Sequence, residues 1–347
     1  MLRHNYGCMA KLLKHRSKWY GLWYPVLGLL ALDLTYQTLI TWKQSHVIAR
    51  ADPTLLLIAV LNQLTVYIVL MPAMQRFYAR ANIGLLPARV FALLATGLAF
   101  ARVVPLGEYI VWRASMRNLK GAASATTQWL IMYYTGMFGG LVVLFVFWEL
   151  VTLLVYPNAH VDSLVGNLRF LPVVLSLGVC LVALATRSQW VRLQLRRIAF
   201  DRLGSQAVSP MGIIRERRLR RRELSPLVFA CLFVWLIESF TLYLCLEAIG
   251  LDVPFAIVAF GFTFARLFSL IPLTPGGIGE IEAGTALFFA AYGYHLGMVF
   301  TATVLYRIIT YWPALILGLG VYTATSHDDI RLWAKDPVFA AQLHKRN

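Results

Sequence analysis

Six stretches of this chain are apolar for long enough to cross a bilayer, which removes most folds from consideration. A hydrocarbon core of ~30 Å takes about 20 helical residues to span. Inside it every backbone amide and carbonyl needs a partner within the protein, so only helices or a closed barrel will do. The runs here are continuous rather than alternating, which selects helices. They fall at about residues 20–41, 54–75, 127–156, 170–186, 226–250 and 296–323. Hydrophobic residues make up 59% of the chain and charged ones 14%, against roughly 25% charged in soluble domains. No polar stretch is long enough to form a second, soluble domain. The expectation is an all-α polytopic integral membrane protein. Residues 1–19 are a basic N-terminus, 20–325 the membrane domain and 326–347 a tail.

Charge gives the orientation. Of 32 Lys and Arg, 26 lie in residues 1–18, 75–89, 107–120, 187–224 and 326–347. That is the positive-inside asymmetry, so these segments and both termini are expected in the cytoplasm of a cell-membrane protein, with residues 157–167 outside. Residues 187–224 hold eleven Arg against Asp201, Glu216 and Glu223. Their expected partners are anionic inner-leaflet lipids, and the net charge of +16 gives no reason to expect nucleic acid. Cys8, Cys180, Cys231 and Cys245 have neither metal-ligand nor disulfide-framework spacing, so no metal or cofactor is expected.

One further apolar region is interrupted. Two runs, residues 254–271 and 278–292, flank Leu270-Ile-Pro-Leu-Thr-Pro-Gly-Gly-Ile-Gly-Glu-Ile-Glu282. Two prolines and three glycines within residues 272–279 stop any helix. Non-helical backbone at membrane depth survives only inside protein or beside a polar cavity. The spacing leaves open a re-entrant hairpin or two short spans. A second broken element covers residues 90–120. Its apolar part contains Arg102, it breaks at Pro105-Leu-Gly-Glu108, and residues 109–120 read as an amphipathic piece on the inner surface.

The two broken elements share a pattern. Gly97-x-x-Phe100-Ala101-Arg102 recurs as Gly261-x-x-Phe264-Ala265-Arg266, and each copy is followed by Pro-Leu and then Gly-Glu. The order span, span, broken element, span also occurs twice, over residues 20–156 and 168–324. Three spans per unit invert the second copy, so the expectation is six spans and two broken elements in an inverted repeat, a transporter architecture.

Ionisable residues inside apolar runs carry the candidate chemistry. Arg102 and Arg266 are either partners of an internal carboxylate, from Glu108, Glu238, Glu280 or Glu282, or an anion site suited to a lipid phosphate. Arg307 has the same two readings. Glu280 and Glu282 open a helix, where the macrodipole alone favours acids. Glu238, in mid-span, is the candidate coupling carboxylate. Thr274, Gly276, Gly277 and Gly279 bring backbone to the same place. Asn62 and Gln63 are expected to bond between helices. No nucleotide loop, zinc-protease motif or nucleophile elbow is present in the sequence, so no catalytic residue is assigned.

With these residues in view, Pro272-Leu-Thr-Pro-Gly-Gly-Ile-Gly-Glu-Ile-Glu282-Ala283, followed by Tyr306-Arg307 and Trp312, resembles the transmembrane region of lysylphosphatidylglycerol synthases. The resemblance implies a flippase-like membrane region without the soluble synthase domain. The family's earlier motif, Pro-Gly-Arg-x-Gly-Glu, is shortened here to Pro105-Leu-Gly-Glu108, which implies a different headgroup in the first half. The leading functional expectation is movement of an anionic or polyprenyl-phosphate-linked lipid between leaflets. The alternatives are an enzyme or accessory subunit of envelope glycolipid synthesis, and a scaffold held at the membrane by residues 187–224. Self-association is left open.

The topology is testable by cysteine labelling from intact cells. A cysteine at position 160 should react with an impermeant reagent and one at position 218 should not; the opposite pattern contradicts the orientation.

Overall fold

The computed structural model describes residues 48–80, 83–103, 107–108, 111–112, 122–156, 221–268 and 279–334. Those residues form seven helices: α1 Pro53–Arg80, α2 Pro87–Val103, α3 Ala122–Val155, α4 Arg221–Ala248, α5 Phe255–Phe268, α6 Glu280–Ala291 and α7 Leu296–Ala334. No strand occurs among them. Four helical stretches are long and apolar enough to cross a membrane: Pro53–Arg80, Ala125–Val155, Pro226–Ala248 and Leu296–Ala324. These are the spans expected near residues 54–75, 127–156, 226–250 and 296–323. The spans expected at 20–41 and 170–186, and the outer loop at 157–167, lie outside the described residues, as does the basic loop up to residue 220.

The helices are built inside out relative to a soluble bundle. Leu57, Leu61, Leu64 and Ile68 lie along one exposed stripe of α1, and Val143, Phe147, Leu150 and Leu154 along one of α3. Such a belt suits lipid, where apolar exposure carries no penalty. Polar side chains point inward. The amide nitrogens of Asn62 and Gln63 donate to Thr241 Oγ1 at 3.0 and 2.7 Å, and Asn62 also reaches the Ile237 carbonyl at 2.9 Å. These are the interhelical bonds expected of them, tying α1 to α4.

Contact registers fix the helix directions. Asp52 N–H donates to the Ala248 carbonyl, while Arg76 lines a groove with Pro226, so α1 and α4 are antiparallel over their length. α3 runs parallel to α4: Gly136 meets Cys231, and Trp235 Nε1 donates to the Met137 carbonyl. α5 opposes α3 and α4, pairing Phe145 with Phe260, Trp148 with Phe255, and Trp235 with Phe262. α2 opposes α7, with Gly318 on Ala95 and Tyr311 on the Arg102 carbonyl.

The short helices stop part-way along the long ones. α5 starts against Phe240 and Tyr243, near the C-terminal end of α4, and reaches mid-α4 when Arg266 meets Glu238. Its 14 residues cover only ~21 Å, less than the hydrocarbon core. α6 then runs back antiparallel to it, with Gly284 against Ala265 and Phe288 against Gly261. Gly293, at φ 81°, ends α6 in a left-handed cap that lets Tyr294 N–H reach the Phe289 carbonyl at 3.0 Å. α2 comes from the opposite end. It begins beside the C-terminal turn of α1, where Gln75 meets the Leu85 carbonyl, and finishes with Arg102 near the same Glu238.

The paired glycines have the same job in both elements. A Cβ on Gly97 would lie 2.1 Å from Trp112 Nε1, and a Cβ on Gly261 would lie 2.5 Å from the Phe288 ring. Each glycine therefore admits a large aromatic ring of the segment that folds back. Gly107 likewise sits on the Phe100 carbonyl, and Trp112 Nε1 donates to the Leu93 carbonyl at 2.5 Å. Gly107 and Trp112 thus both pack against α2. Of the amphipathic piece expected at residues 109–120, Val111 and Trp112 are buried, and the other ten lie outside the described residues.

A Gly97→Val substitution should lower thermal stability in detergent by about 1–3 kcal/mol through overpacking against Trp112. Gly139→Ala, whose Cβ would meet nothing within 4 Å, is the control and should stay near wild type.

Candidate functional site

α4 carries Glu238 near the middle of its candidate span, twelve residues after Pro226 and ten before Ala248. A lone carboxylate there would cost several kcal/mol. It is not alone. Arg266, in the last turn of α5, places Nη2 at 3.5 Å from Glu238 Oε2. Tyr306 of α7 donates a short hydrogen bond to the same oxygen and accepts one from Arg266 Nη2 at 2.6 Å. Arg102, in the last turn of α2, approaches the other oxygen, Oε1, at 3.9 Å. One carboxylate is thus shared by two arginines that arrive from opposite ends of α4. Both stand at helix C-termini, where the backbone dipole favours cations.

The two arginines are held differently. The Arg266 guanidinium carbon lies 5.2 Å from the Phe262 ring centre and 5.6 Å from that of Trp235, so aromatic faces hold it beside the carboxylate. Arg102 has the longer contact, beyond hydrogen-bond length, and its side chain is 26% exposed against 15% for Arg266. Its backbone is pinned, since Tyr311 Oη donates to the Arg102 carbonyl at 3.2 Å. Glu108 is buried, and its Oε2 accepts no hydrogen bond among the described residues.

A second buried pair lies one residue further along α7. Arg307 Nε donates to Glu282 Oε1 at 2.9 Å, with both side chains 5% exposed. The other Glu282 oxygen accepts the Gly279 N–H at 2.9 Å, closing the start of α6. Glu282 therefore satisfies a helix terminus and a buried cation together, and the pair is a brace between α6 and α7. Gly279 has φ 84°, the left-handed region that glycine enters without strain. Glu280 is the first residue of α6. Thr274, Gly276 and Gly277 lie outside the described residues. Among those residues no cluster of His, Cys, Asp or Glu could hold a metal ion.

Of the candidates, the structure brings together Arg102, Arg266 and Glu238, and it sets Glu282 and Arg307 apart as their own pair. It adds Tyr306, with Trp235 and Phe262 around Arg266. The family described as "Lysylphosphatidylglycerol synthase TM region" matches residues 28–318, a range that includes Arg102, Glu238, Arg266 and Tyr306. The chain belongs to that family. Among curated proteins it is 29% identical over 106 residues to a "UPF0104 membrane protein" of Methanothermobacter thermautotrophicus, covering 30% of this chain and 31% of that one. A second protein of that name and organism is 30% identical over 108 residues, covering 30% and 32%. A "Phosphatidylglycerol lysyltransferase" of Bacillus subtilis is 33% identical over 85 residues, covering 24% of this chain and 10% of that one. The matches with the two archaeal relatives thus span about a third of their length.

Tyr306 stood out in the sequence only as part of the family-like Tyr306-Arg307 pair and not as a candidate site residue. The available signal was a hydroxyl-bearing aromatic directly before an intramembrane arginine, since neighbouring helix positions point about 100° apart and can serve two polar centres.

The Arg307–Glu282 brace predicts a stability pattern. Arg307→Met alone leaves Glu282 buried without its cation and should cost about 3–5 kcal/mol. Adding Glu282→Leu should recover much of it, read as thermal unfolding in detergent; equal instability of the single and double variants contradicts the assignment.

Proposed function

We propose that this protein moves an anionic lipid, a phospholipid or polyprenyl-phosphate-linked lipid, between the leaflets of the cell membrane. The observation that carries the reading is the meeting of Arg102 and Arg266 on Glu238 at the middle of α4. Among the described residues two guanidinium groups face one carboxylate at that node. A phosphodiester is the complement that arginine geometry suits. A headgroup crossing hydrocarbon needs its charge offset at the deepest point, and the cluster supplies this where the cost is greatest. Glu108 extends the proposed path, and Glu238 is the carboxylate that changes partners along it.

The inverted-repeat reading is supported by direction. Matching α1 to α4, α2 to α5 and α3 to α7 pairs helices that run oppositely in every case. The two glycine notches and the two terminal arginines occupy equivalent places. Short helices entering from opposite ends support reading α5 with α6, and α2 with the segment that carries Trp112, as re-entrant elements. The Bacillus relative's name supports a phosphoglycerol headgroup as the class to try first.

Arg266→Gln should abolish movement of a labelled phosphatidylglycerol in proteoliposomes while the protein still folds, with a thermal stability below wild type. Glu238 would retain Tyr306 and Arg102, so no carboxylate is orphaned. Arg266→Lys should rescue only part of the activity, because it keeps the charge and loses the planar fork. A stable Arg266→Gln protein with normal transport contradicts the proposal.

A further inference from the structure

We infer that Glu238 is a resident competitor for the lipid phosphate, and that Arg102 is the arm that exchanges one for the other while Arg266 stays fixed. The inference rests on the lipid-binding reading above and assigns unequal tasks within the cluster.

The asymmetry begins with the two oxygens of one carboxylate. Oε2 is doubly engaged, by the Tyr306 hydroxyl and Arg266 Nη2, and Arg266 is bonded to Tyr306 in turn. That triangle closes on itself. Phe262 and Trp235 hold the Arg266 guanidinium against it at 5.2 and 5.6 Å. Oε1 has the Arg102 contact at 3.9 Å, an ion pair without a hydrogen bond. Among the described residues this is the one salt bridge Arg102 makes.

Physical chemistry then ranks the exchanges. Taking Arg266 from Glu238 would disturb two hydrogen bonds and an aromatic enclosure. Taking Arg102 from Glu238 breaks no hydrogen bond, and Glu238 remains neutralised by Arg266. A phosphodiester offers two charged oxygens at the spacing that the guanidinium fork accepts side by side. It can therefore offer Arg102 a bidentate contact in place of a long one. Arg102 is also the more exposed of the two, so it is the one an incoming headgroup can reach. The Tyr311 bond to the Arg102 carbonyl fixes the backbone from which the side chain swings. Glu238 thereby sets the strength of phosphate capture. Competition for one guanidinium keeps the lipid from binding so tightly that it fails to leave.

The test titrates dioleoylphosphatidylglycerol into the full-length protein in detergent micelles, with dioleoylphosphatidylcholine and soluble glycerol 3-phosphate as parallel probes, and reads binding by native mass spectrometry. Glu238→Gln removes the competing charge and should tighten phosphatidylglycerol binding about tenfold without changing phosphatidylcholine binding. Arg102→Gln should weaken phosphatidylglycerol binding about tenfold, and the double variant should match Arg102→Gln. Unchanged or weaker phosphatidylglycerol binding by folded Glu238→Gln overturns the inference. So does phosphatidylglycerol binding by Arg102→Gln that equals wild type. Should Glu238→Gln not fold, the Arg102→Gln arm decides alone, because that variant leaves the Glu238–Tyr306–Arg266 triangle in place. Binding of glycerol 3-phosphate with no response to the lipid overturns the assignment to a lipid. If these affinities hold while no lipid moves in proteoliposomes, the translocation reading fails and the exchange stands. If Arg102→Gln moves lipid at the wild-type rate, the exchange fails and translocation stands.

Discussion

A charge in hydrocarbon must find a partner, water or a ligand, and the whole architecture follows from how this chain meets that demand at one carboxylate. Glu238 sits in mid-α4. Its three polar partners come from α2, α5 and α7. Two of those helices are too short to cross a bilayer alone. They stop where their terminal arginines reach the carboxylate. The halting of α2 and α5 part-way along α4, the glycine notches that let their return segments pack close, and the polar inner face of the bundle all serve that meeting.

The second buried pair shows that not every intramembrane charge does the same work. Arg307 and Glu282 satisfy each other at 2.9 Å, and Glu282 also caps α6. A pair so closed has little to offer a ligand, and its value is in holding α6 to α7. The Glu238 node has two cations for one anion, one of them at 3.9 Å. An unequal, partly open cluster is the kind of site that can accept a third party. Because Tyr306 and Arg307 are adjacent on α7, the rigid brace and the open node are mechanically joined.

The membrane class, four of the spans and Arg102, Arg266 and Glu238 as candidate partners were legible in the sequence. Runs of apolar residues report burial in lipid directly, and an arginine within such a run is too costly to be incidental. The glycine, phenylalanine and arginine recurrence was visible as a pattern, but its cause was not. That Gly97 and Gly261 make room for Trp112 and Phe288 depends on segments folding back, which spacing alone does not state. Tyr306 was visible in the family-like pattern, but its bond to Glu238 was not, because a tyrosine in an apolar run looks like ordinary packing until its hydroxyl is placed. Which carboxylate would receive which arginine was open, since Glu108, Glu238, Glu280 and Glu282 all had suitable chemistry.

The most direct test of the central claim is a density map of the full-length protein in nanodiscs made with phosphatidylglycerol. The account predicts a headgroup phosphate within hydrogen-bond reach of Arg102, beside an intact Arg266–Glu238–Tyr306 triangle at mid-depth. A map in which lipid headgroups occupy only the two membrane surfaces, with Arg102 still on Glu238 under saturating phosphatidylglycerol, would contradict it.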